Sequence, residues 1–307
     1  MTDLAAAFDA HALRVVKAVA DHGSLTAAAA SLGYSQPALS QLLKRLEARI
    51  GVPLVERVGR RMRLTEAGEV LARHAPAVTS ALDAAAGELD ELRGLRTGRV
   101  RLAAFPSASA TLVPRLLAEL ARTHPGIALT YVEAEPPEAV DAVRAGRADV
   151  AVTFSYPGDR DDPHGESALG LAVREIGRDE LRAVLPAGHP AAVSGSVDLA
   201  ELADADWIAG CPRCRGHLLE ACAAAGFTPR VGFETDNFVA VQNLVAMGLG
   251  VALLPRMALD STPAREGIVA RPTLSGDART VHLVTARGAR NVPATAVVLA
   301  SLERLAV

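Results

Sequence analysis

Residues 23–68 read GSLTAAAASLGYSQPALSQLLKRLEARIGVPLVERVGRRMRLTEAG, and this stretch decides how the chain begins. Two short helical patterns meet at a tight break, Leu32-Gly33-Tyr34. The second helix opens at Ser35, a good N-cap, with Pro37 in its first turn, where a missing N–H costs nothing. Leu39, Leu42, Leu43, Leu46 and Ile50 recur at helical spacing and predict an inward stripe. Pro37, Ser40, Gln41 and Lys44 then point the other way, beside Gln36 and Arg45. A helix laid in a DNA major groove needs short hydrogen-bonding groups for base edges and cations for phosphates, and this face offers both. Ser24 or Thr26 is placed to cap the preceding helix, residues 27–32.

A basic loop follows, with Arg57, Arg60, Arg61 and Arg63. Through Thr65 the chain carries nine basic and five acidic residues, a balance of +4. The whole chain is at −3, so the remainder stands at −7. A basic head on an acidic body is a local nucleic-acid footprint that the overall pI conceals. A solvated charged face is the alternative, and four arginines in one short loop beside a helix-turn-helix pattern weigh against it.

From Glu66 a long helical pattern runs on. Leu71, Ala75, Val78, Leu82, Ala85, Leu89 and Leu92 alternate steps of four and three, a heptad seam that asks for a partner helix. Pro76 interrupts it as a candidate kink. Packing against the chain's own body is the alternative. Residues 93–98, RGLRTG, read as a hinge.

Beyond Arg99 the pattern changes to strand, helix, strand, helix, strand. Val100, Leu102 and Ala104 alternate; Leu112, Val113, Leu116, Leu117 and Leu120 are helical. Ile127, Leu129 and Tyr131 alternate again, a helix holds Ala139, Val140 and Val143, and residues 149–154 read as a buried strand ending at Phe154. This order implies an α/β fold with a parallel sheet covered by helices. A second unit follows, with strands at 181–185, 207–209, 231–234 and 251–254 and helices at 215–225 and 238–247. A strand at 281–285 and a helix at 294–305 close the chain. Residues 156–167, rich in Asp, Gly and Pro, read as a flexible loop.

Three motifs in fixed order, GSLTAAA, SQPALSQLLKRLE and GVPLVERVGRRMRLTEAG, make the first 68 residues resemble the winged helix-turn-helix of LysR-type transcriptional regulators. The likeness extends more loosely over the whole chain. It implies a head at residues 1–65 and a linker helix with hinge at 66–98. An effector-binding domain then fills 99–307, two-lobed like the periplasmic binding proteins. Lobe I takes residues 99–175 and 272–307, and lobe II takes 176–271. The resemblance assigns the DNA contacts to Ser24, Thr26, Ser35, Gln36, Pro37, Ser40, Gln41, Lys44, Arg45, Arg57, Arg60, Arg61 and Arg63. It reads the seam of Leu71, Val78, Leu82, Leu89 and Leu92 as the dimerisation surface. The partners implied are double-stranded DNA, a small-molecule effector and a second copy of the chain, as a homodimer or homotetramer.

Open α/β sheets bind ligands at the carboxyl ends of their strands. Phe105-Pro106-Ser107-Ala108-Ser109 lies at such an end and opens a helix, where free backbone N–H groups suit a small anion. Plain N-capping by Ser107 or Ser109 suits the same residues. The resemblance favours the ligand reading, because Ser107 stands seven residues before Pro114, where a family effector-contact serine lies. A second family contact, commonly Thr or Ser, falls at Glu135. An anionic side chain there repels a carboxylate and favours a cationic or hydroxylated effector. Phe154, Thr235 and Asp236 complete the candidate set, although Asp236 also suits a helix cap. The run GLGVALLP, residues 248–255, matches a family motif that is chiefly structural.

Cys211-Pro212-Arg213-Cys214 stands apart. A CxxC at a helix start lowers a thiol pKa and suits a redox switch. With His217 and Cys222 it gives a zinc-like set. An isolated CxxC is a weak motif, and the ranking is inert thiols, then redox switch, then metal.

No hydrolase elbow, Walker loop, dinucleotide fingerprint or metalloprotease helix is present, so no catalytic residue, cofactor or metal is expected. Asp3 and Asp9 flank a weak apolar start that does not read as a signal peptide. No apolar run is long enough to span a bilayer. Three cysteines fit a reducing cytoplasm. The expectation is a bacterial, cytoplasmic, effector-responsive DNA-binding regulator and not an enzyme. The alternatives are a thiol-based regulator using Cys211 and Cys214, and a two-lobed solute-binding protein or enzyme.

Overall fold

A computed structural model describes residues 9–58, 61–92, 98–158 and 168–305. Arg60, residues 93–97 of the expected hinge and residues 159–167 of the expected loop lie outside the described residues, as do the side chains of Arg61 and Leu92.

The chain opens with α1 (Ala10–His22), capped by Asp9, whose carboxylate accepts from the Ala12 N–H at 2.8 Å. Gly23 ends it at φ 58°, a left-handed conformation that Gly adopts without steric cost. Helices α2 (Leu25–Ser31) and α3 (Gln36–Ile50) follow, then the hairpin β1 (Val55–Val58) and β2 (Arg61–Leu64). Leu13, Val16 and Val19 of α1 meet Ala28 of α2, Leu39, Leu43 and Leu46 of α3, and Leu54. Burying one such aliphatic side chain stabilises by about 1.5–3 kcal/mol.

Helix α4 (Glu66–Leu92) runs 27 residues and continues past Pro76. Gly68 in its first turn is required by crowding, since a Cβ there would stand 2.1 Å from the Leu54 carbonyl oxygen. The heptad seam divides in two. Leu71, expected at a dimer surface, is instead buried with Ala75 in the core of the head, because the first turns of α4 pack on α1. Val78, Leu82 and Leu89 are 37, 45 and 61 % exposed and remain unburied within one chain.

In the body, β3 (Gly98–Ala104), α5 (Pro106–Thr123), β4 (Ile127–Glu133), α6 (Pro136–Arg144) and β5 (Val150–Ser155) form a parallel unit with β3 between β4 and β5. Next comes β6 (Leu171–Pro186), 16 residues long. It is followed by β7 (Asp206–Ala209), α7 (Pro212–Ala224), β8 (Arg230–Glu234), α8 (Phe238–Ala246), β9 (Ala252–Pro255), α9 (Arg256–Asp260), β10 (Ile268–Pro272), β11 (Ala278–Ala286) and α10 (Pro293–Arg304). The sheet order is β10-β6-β11-β5-β3-β4, with β9 also on β6, while β7 and β8 pair in parallel beside it. Strand β11 runs antiparallel to β5 and to the first part of β6. The second part of β6 pairs with β9 and β10. One core lies under β3, β5, α5 and α10; another holds Leu185, Leu202, Trp207, Leu218 and Cys222.

Four elements depart from the sequence pattern. The strand expected at 181–185 is only the second half of β6. The helix expected from 215 starts at Pro212, which makes Cys211 its N-cap and puts Cys214 in its first turn. Strand β10 and helix α9 lie where no element was expected.

Candidate functional site

In the head, the cap at Ser35 draws its hydroxyl to 3.4 Å from the Ala38 N–H, and Ser24 accepts from the Ala27 N–H at 3.5 Å. Both hydroxyls therefore serve their helices, with Thr26 exposed beside Ser24. Along α3, Leu39, Leu43 and Leu46 are buried, and Leu42 and Ile50 are half-buried. Gln36, Pro37, Gln41, Lys44 and Arg45 are exposed, and Ser40 is half-buried. Gln41 accepts from Arg45 at 3.5 Å. Arg57 and Arg63 lie exposed on the two strands of the hairpin, paired with Met62 and Glu56.

Glu47, which the pattern left unassigned, ties the hairpin to α3. Its Oε1 accepts from the N–H groups of Leu54 at 2.8 Å and Val55 at 3.3 Å. Thr65 repeats the device, donating to the Pro53 carbonyl at 2.7 Å and accepting from the Gly68 N–H at 3.2 Å. A carboxylate near the end of an otherwise basic helix, eight residues before the strand it serves, was the available signal.

The second cluster lies between the two halves of the body. Arg279 on β11 donates from Nε and Nη2 to Asp179 Oδ2 at 3.0 and 2.8 Å, and from Nη2 to Ser107 Oγ at 2.6 Å. Asp179 uses its other oxygen to accept the Met257 N–H at 3.0 Å. All three side chains are buried. The guanidinium carbon sits 4.7 Å from the ring centre of Phe105 and 4.4 Å from that of Phe154. Burial works against its charge, but Asp179 and other nearby acidic groups hold the Arg279 pKa above its ordinary value. The edge-to-face pair Phe105–Phe154, at 5.0 Å, continues to Tyr156 at 5.6 Å. Tyr156 in turn stacks flat on His217 at 4.2 Å.

On the other side stand the thiols. Cys211 donates to Cys214 with the sulfurs 3.1 Å apart, and the Tyr156 hydroxyl donates to Cys214 Sγ at 3.4 Å. Hydrogen bonding from Cys211 pulls the Cys214 thiol down to about 6, aided by Arg279 and Tyr156 and opposed by burial. The same bond, with burial, pushes Cys211 up. Burial lifts Cys222 to about 11, and its side chain lies in the core with Leu185, Trp207 and Leu218. Among the described residues no three His, Cys, Asp or Glu side chains converge as a metal set, so the zinc arrangement with His217 and Cys222 is not assembled.

Glu135 ends the cluster. It precedes α6 without capping it, and its Oε2 is buried with no hydrogen-bond partner among the described residues. Burial, and then the charge of Cys214, raise its carboxyl to about 7. Asp236, which is exposed, also opposes ionisation of Glu135 and Cys214 through its charge. It does not cap α8, because Asn237 does, accepting from Val239 and Ala240 at 3.0 and 3.2 Å. Thr235 accepts from the Asn237 N–H at 3.3 Å.

The structure thus brings Ser107 and Phe154 onto Arg279, with the charges of Glu135 and Asp236 acting on Cys214 and on each other. Neither Ser107 nor Ser109 caps α5; Phe105 is the N-cap residue, without a side-chain bond. Ser109 turns back to the Ala104 carbonyl at 3.2 Å. Arg279 and Asp179 were not foreseen, and an arginine within the apolar strand ARTVHLVTA was the one hint.

Residues 10–69 match the family described as "Bacterial regulatory helix-turn-helix protein, lysR family", and residues 93–306 match "LysR substrate binding domain". The chain is 33% identical over 263 residues to a probable hydrogen peroxide-inducible genes activator of Mycobacterium avium, covering 82% of this chain and 79% of that one. It is 29% identical over 260 residues to the HTH-type transcriptional activator CmpR of Synechocystis sp., covering 84% and 81%. Among solved structures, a full-length OxyR variant from Pseudomonas aeruginosa superposes with a TM-score of 0.70 at 25% identity, covering 97% of this chain and 95% of that one. Among the described residues no helix is long and apolar enough to cross a membrane.

Proposed function

Because the chain belongs to the LysR family of bacterial helix-turn-helix regulators, we propose the following division of labour along it. Residues 1–65 read an operator, residues 66–98 join two copies, and residues 99–307 answer a small effector held between lobe I (99–175 and 272–307) and lobe II (176–271). It acts in the cytoplasm by binding and not by catalysis.

The observation that carries the DNA reading is the division of α3 into a buried Leu39–Leu43–Leu46 stripe and an exposed polar face. Gln36, Pro37, Ser40 and Gln41 meet base edges, flanked by Ser24, Thr26 and Ser35 at the helix starts. Lys44, Arg45, Arg57, Arg60, Arg61 and Arg63 meet phosphates. Two heads are held together by Val78, Leu82, Leu89 and Leu92, because the first three are exposed in one chain.

The effector contacts Glu135, Thr235 and Asp236, with Ser107, Ser109 and Phe154 shaping the wall behind them. Two carboxyl groups and a hydroxyl favour a cationic or hydroxylated ligand over a carboxylate. Selection from a random duplex pool with the full chain tests the reading. Enrichment of one sequence, with an affinity that falls steeply as salt rises, is expected. Salt-dependent binding that never enriches a sequence, or no duplex binding at all, overturns it.

A further inference from the structure

We propose that Cys211 and Cys214 form a reversible dithiol–disulfide switch in the wall of the interlobe cluster, with Glu135 receiving the proton that Cys211 gives up. The pair is already in contact, with sulfurs 3.1 Å apart. A disulfide needs about 2.05 Å, an approach of roughly 1 Å that side-chain rotation supplies. The two residues occupy the N-cap and first turn of α7, a 13-residue helix whose N-terminal N–H groups favour a thiolate. The Tyr156 hydroxyl donates to the sulfur of Cys214 at 3.4 Å. This use of the cluster is independent of the effector reading.

The two sulfurs differ in role. Cys214 is partly accessible and Cys211 is buried, so a small oxidant meets Cys214 first. Cys214 is also the sulfur whose pKa is lowered, to about 6, which makes it the thiolate near neutral pH. Cys211 keeps its proton until it must react.

The oxidant is a low-molecular-weight disulfide, RSSR. The Cys214 thiolate attacks one sulfur, the RS–SR bond breaks, and RS⁻ departs, leaving Cys214–S–SR. Cys211 then loses its proton to the Glu135 carboxylate and attacks Cys214 Sγ, expelling the second RS⁻. The two protein thiols lose two electrons and two protons, and RSSR becomes two RSH once Glu135 has passed its proton on.

Glu135 suits this task for two reasons. Its Oε2 is buried without a hydrogen-bond partner among the described residues, and its charge opposes both thiols. Arg279 from β11, Tyr156 after β5, Asp236 ahead of α8 and Glu138 on α6 are among the charged or titratable groups acting on the thiol–carboxyl cluster, with His217 stacked on Tyr156 and Arg213 between the two cysteines. Oxidation removes the negative charge of Cys214 from beside Arg279 and Glu135, so it changes the field in the cluster that joins the lobes.

The full chain, first reduced, is equilibrated in glutathione buffers of rising potential, alkylated and digested with trypsin. Cleavage after Arg213 separates the two cysteines unless a bond joins them, so the peptide map reads the linkage directly. The expected result is a Cys211–Cys214 bond with a two-electron dependence, a tenfold change for each ~30 mV. C211S should arrest as a glutathione adduct on Cys214, C214S should leave Cys211 unmodified, and C222S should behave as the parent chain. In E135Q the adduct should persist, closing about 100-fold more slowly at neutral pH, with a rate that keeps rising at higher pH.

A Cys214–Cys222 bond, an adduct forming first on Cys211, or thiols that stay free in fully oxidised glutathione would overturn the switch. An unchanged closing rate in E135Q would overturn the role of Glu135. The parent chain alone decides the linkage, so a variant that fails to fold does not shield the proposal.

Discussion

Arg279 and Ser107, 172 positions apart in the chain, share a hydrogen bond of 2.6 Å inside the body. The same guanidinium nitrogen reaches Asp179, which stands directly across from Arg279 in the ladder between β11 and β6. One buried cation therefore fixes the start of α5, the middle of β6 and the start of β11 to each other. This changes what a mutation at Ser107 means. The hydroxyl is an internal partner first, and any ligand must meet it through Arg279.

Ser107→Val should consequently cost stability as well as response. It leaves an Nη2 hydrogen without its buried acceptor, a loss of about 1–3 kcal/mol. Asp179→Ala should cost more, roughly 3–5 kcal/mol, because it strands a buried guanidinium. Urea denaturation of the full chain checks the order. Equal midpoints for the two variants would contradict it.

Stability should fall as pH rises through the range where Glu135 ionises. Its folded pKa, about 7, lies above the ordinary 4.5, so between these values the native state holds the extra proton. By linkage, stability declines from about pH 4.5 and has lost most of this contribution above pH 7. The full difference is on the order of 3 kcal/mol. Below pH 6 the Cys214 thiol is protonated in both states and adds little slope. Glu135→Gln should flatten the decline between pH 4.5 and 6 relative to the parent, as read from melting temperatures. Parallel curves would contradict the burial of this carboxyl.

In the head, Gln41→Ala should relax base preference at one operator position, at about 1–3 kcal/mol. Arg63→Ala should instead weaken all sequences alike and reduce the salt slope by about one. Fluorescence titrations on the selected duplex and on a scrambled one separate the two outcomes. A sequence-selective loss from Arg63→Ala would reverse their roles.

Replacing Val78 and Leu89 by Glu should dissociate the chain and abolish tight operator binding while leaving the head folded, because neither side chain is buried within one chain. Leu71→Ala should behave differently and destabilise the head by about 2–5 kcal/mol. Sedimentation and thermal melting together read both. An unchanged oligomer with normal affinity in the double variant would rule out the seam.

The heptad spacing could not distinguish these two groups of residues. Leu71 and Leu89 obey the same alternation, and only the presence of α1 beside the first turns tells them apart. The α3 face was legible because one helix carries both its buried and its exposed residues. The Arg279–Asp179 pair was not, since the two residues are 100 positions apart and each reads singly as an ordinary surface charge. The first half of β6 was hidden for a related reason: residues 171–180, LAVREIGRDE, carry too many charges to show strand alternation. Glu135 was singled out through its family position, while its burial and missing partner among the described residues needed the fold.

Strand β6 gives the body a mechanical character of its own. It is one strand of 16 residues, bonded to β11 along residues 171–180, with a single register shift at Ile176, and to β9 and β10 along residues 181–186. A body with such a spine resists opening like a clamshell, because spreading the lobes would have to bend a hydrogen-bonded strand. Twisting along the strand is the softer motion. A signal arising between the lobes would then leave the body as torque about β6, turning one lobe against the other while their spacing stays nearly constant.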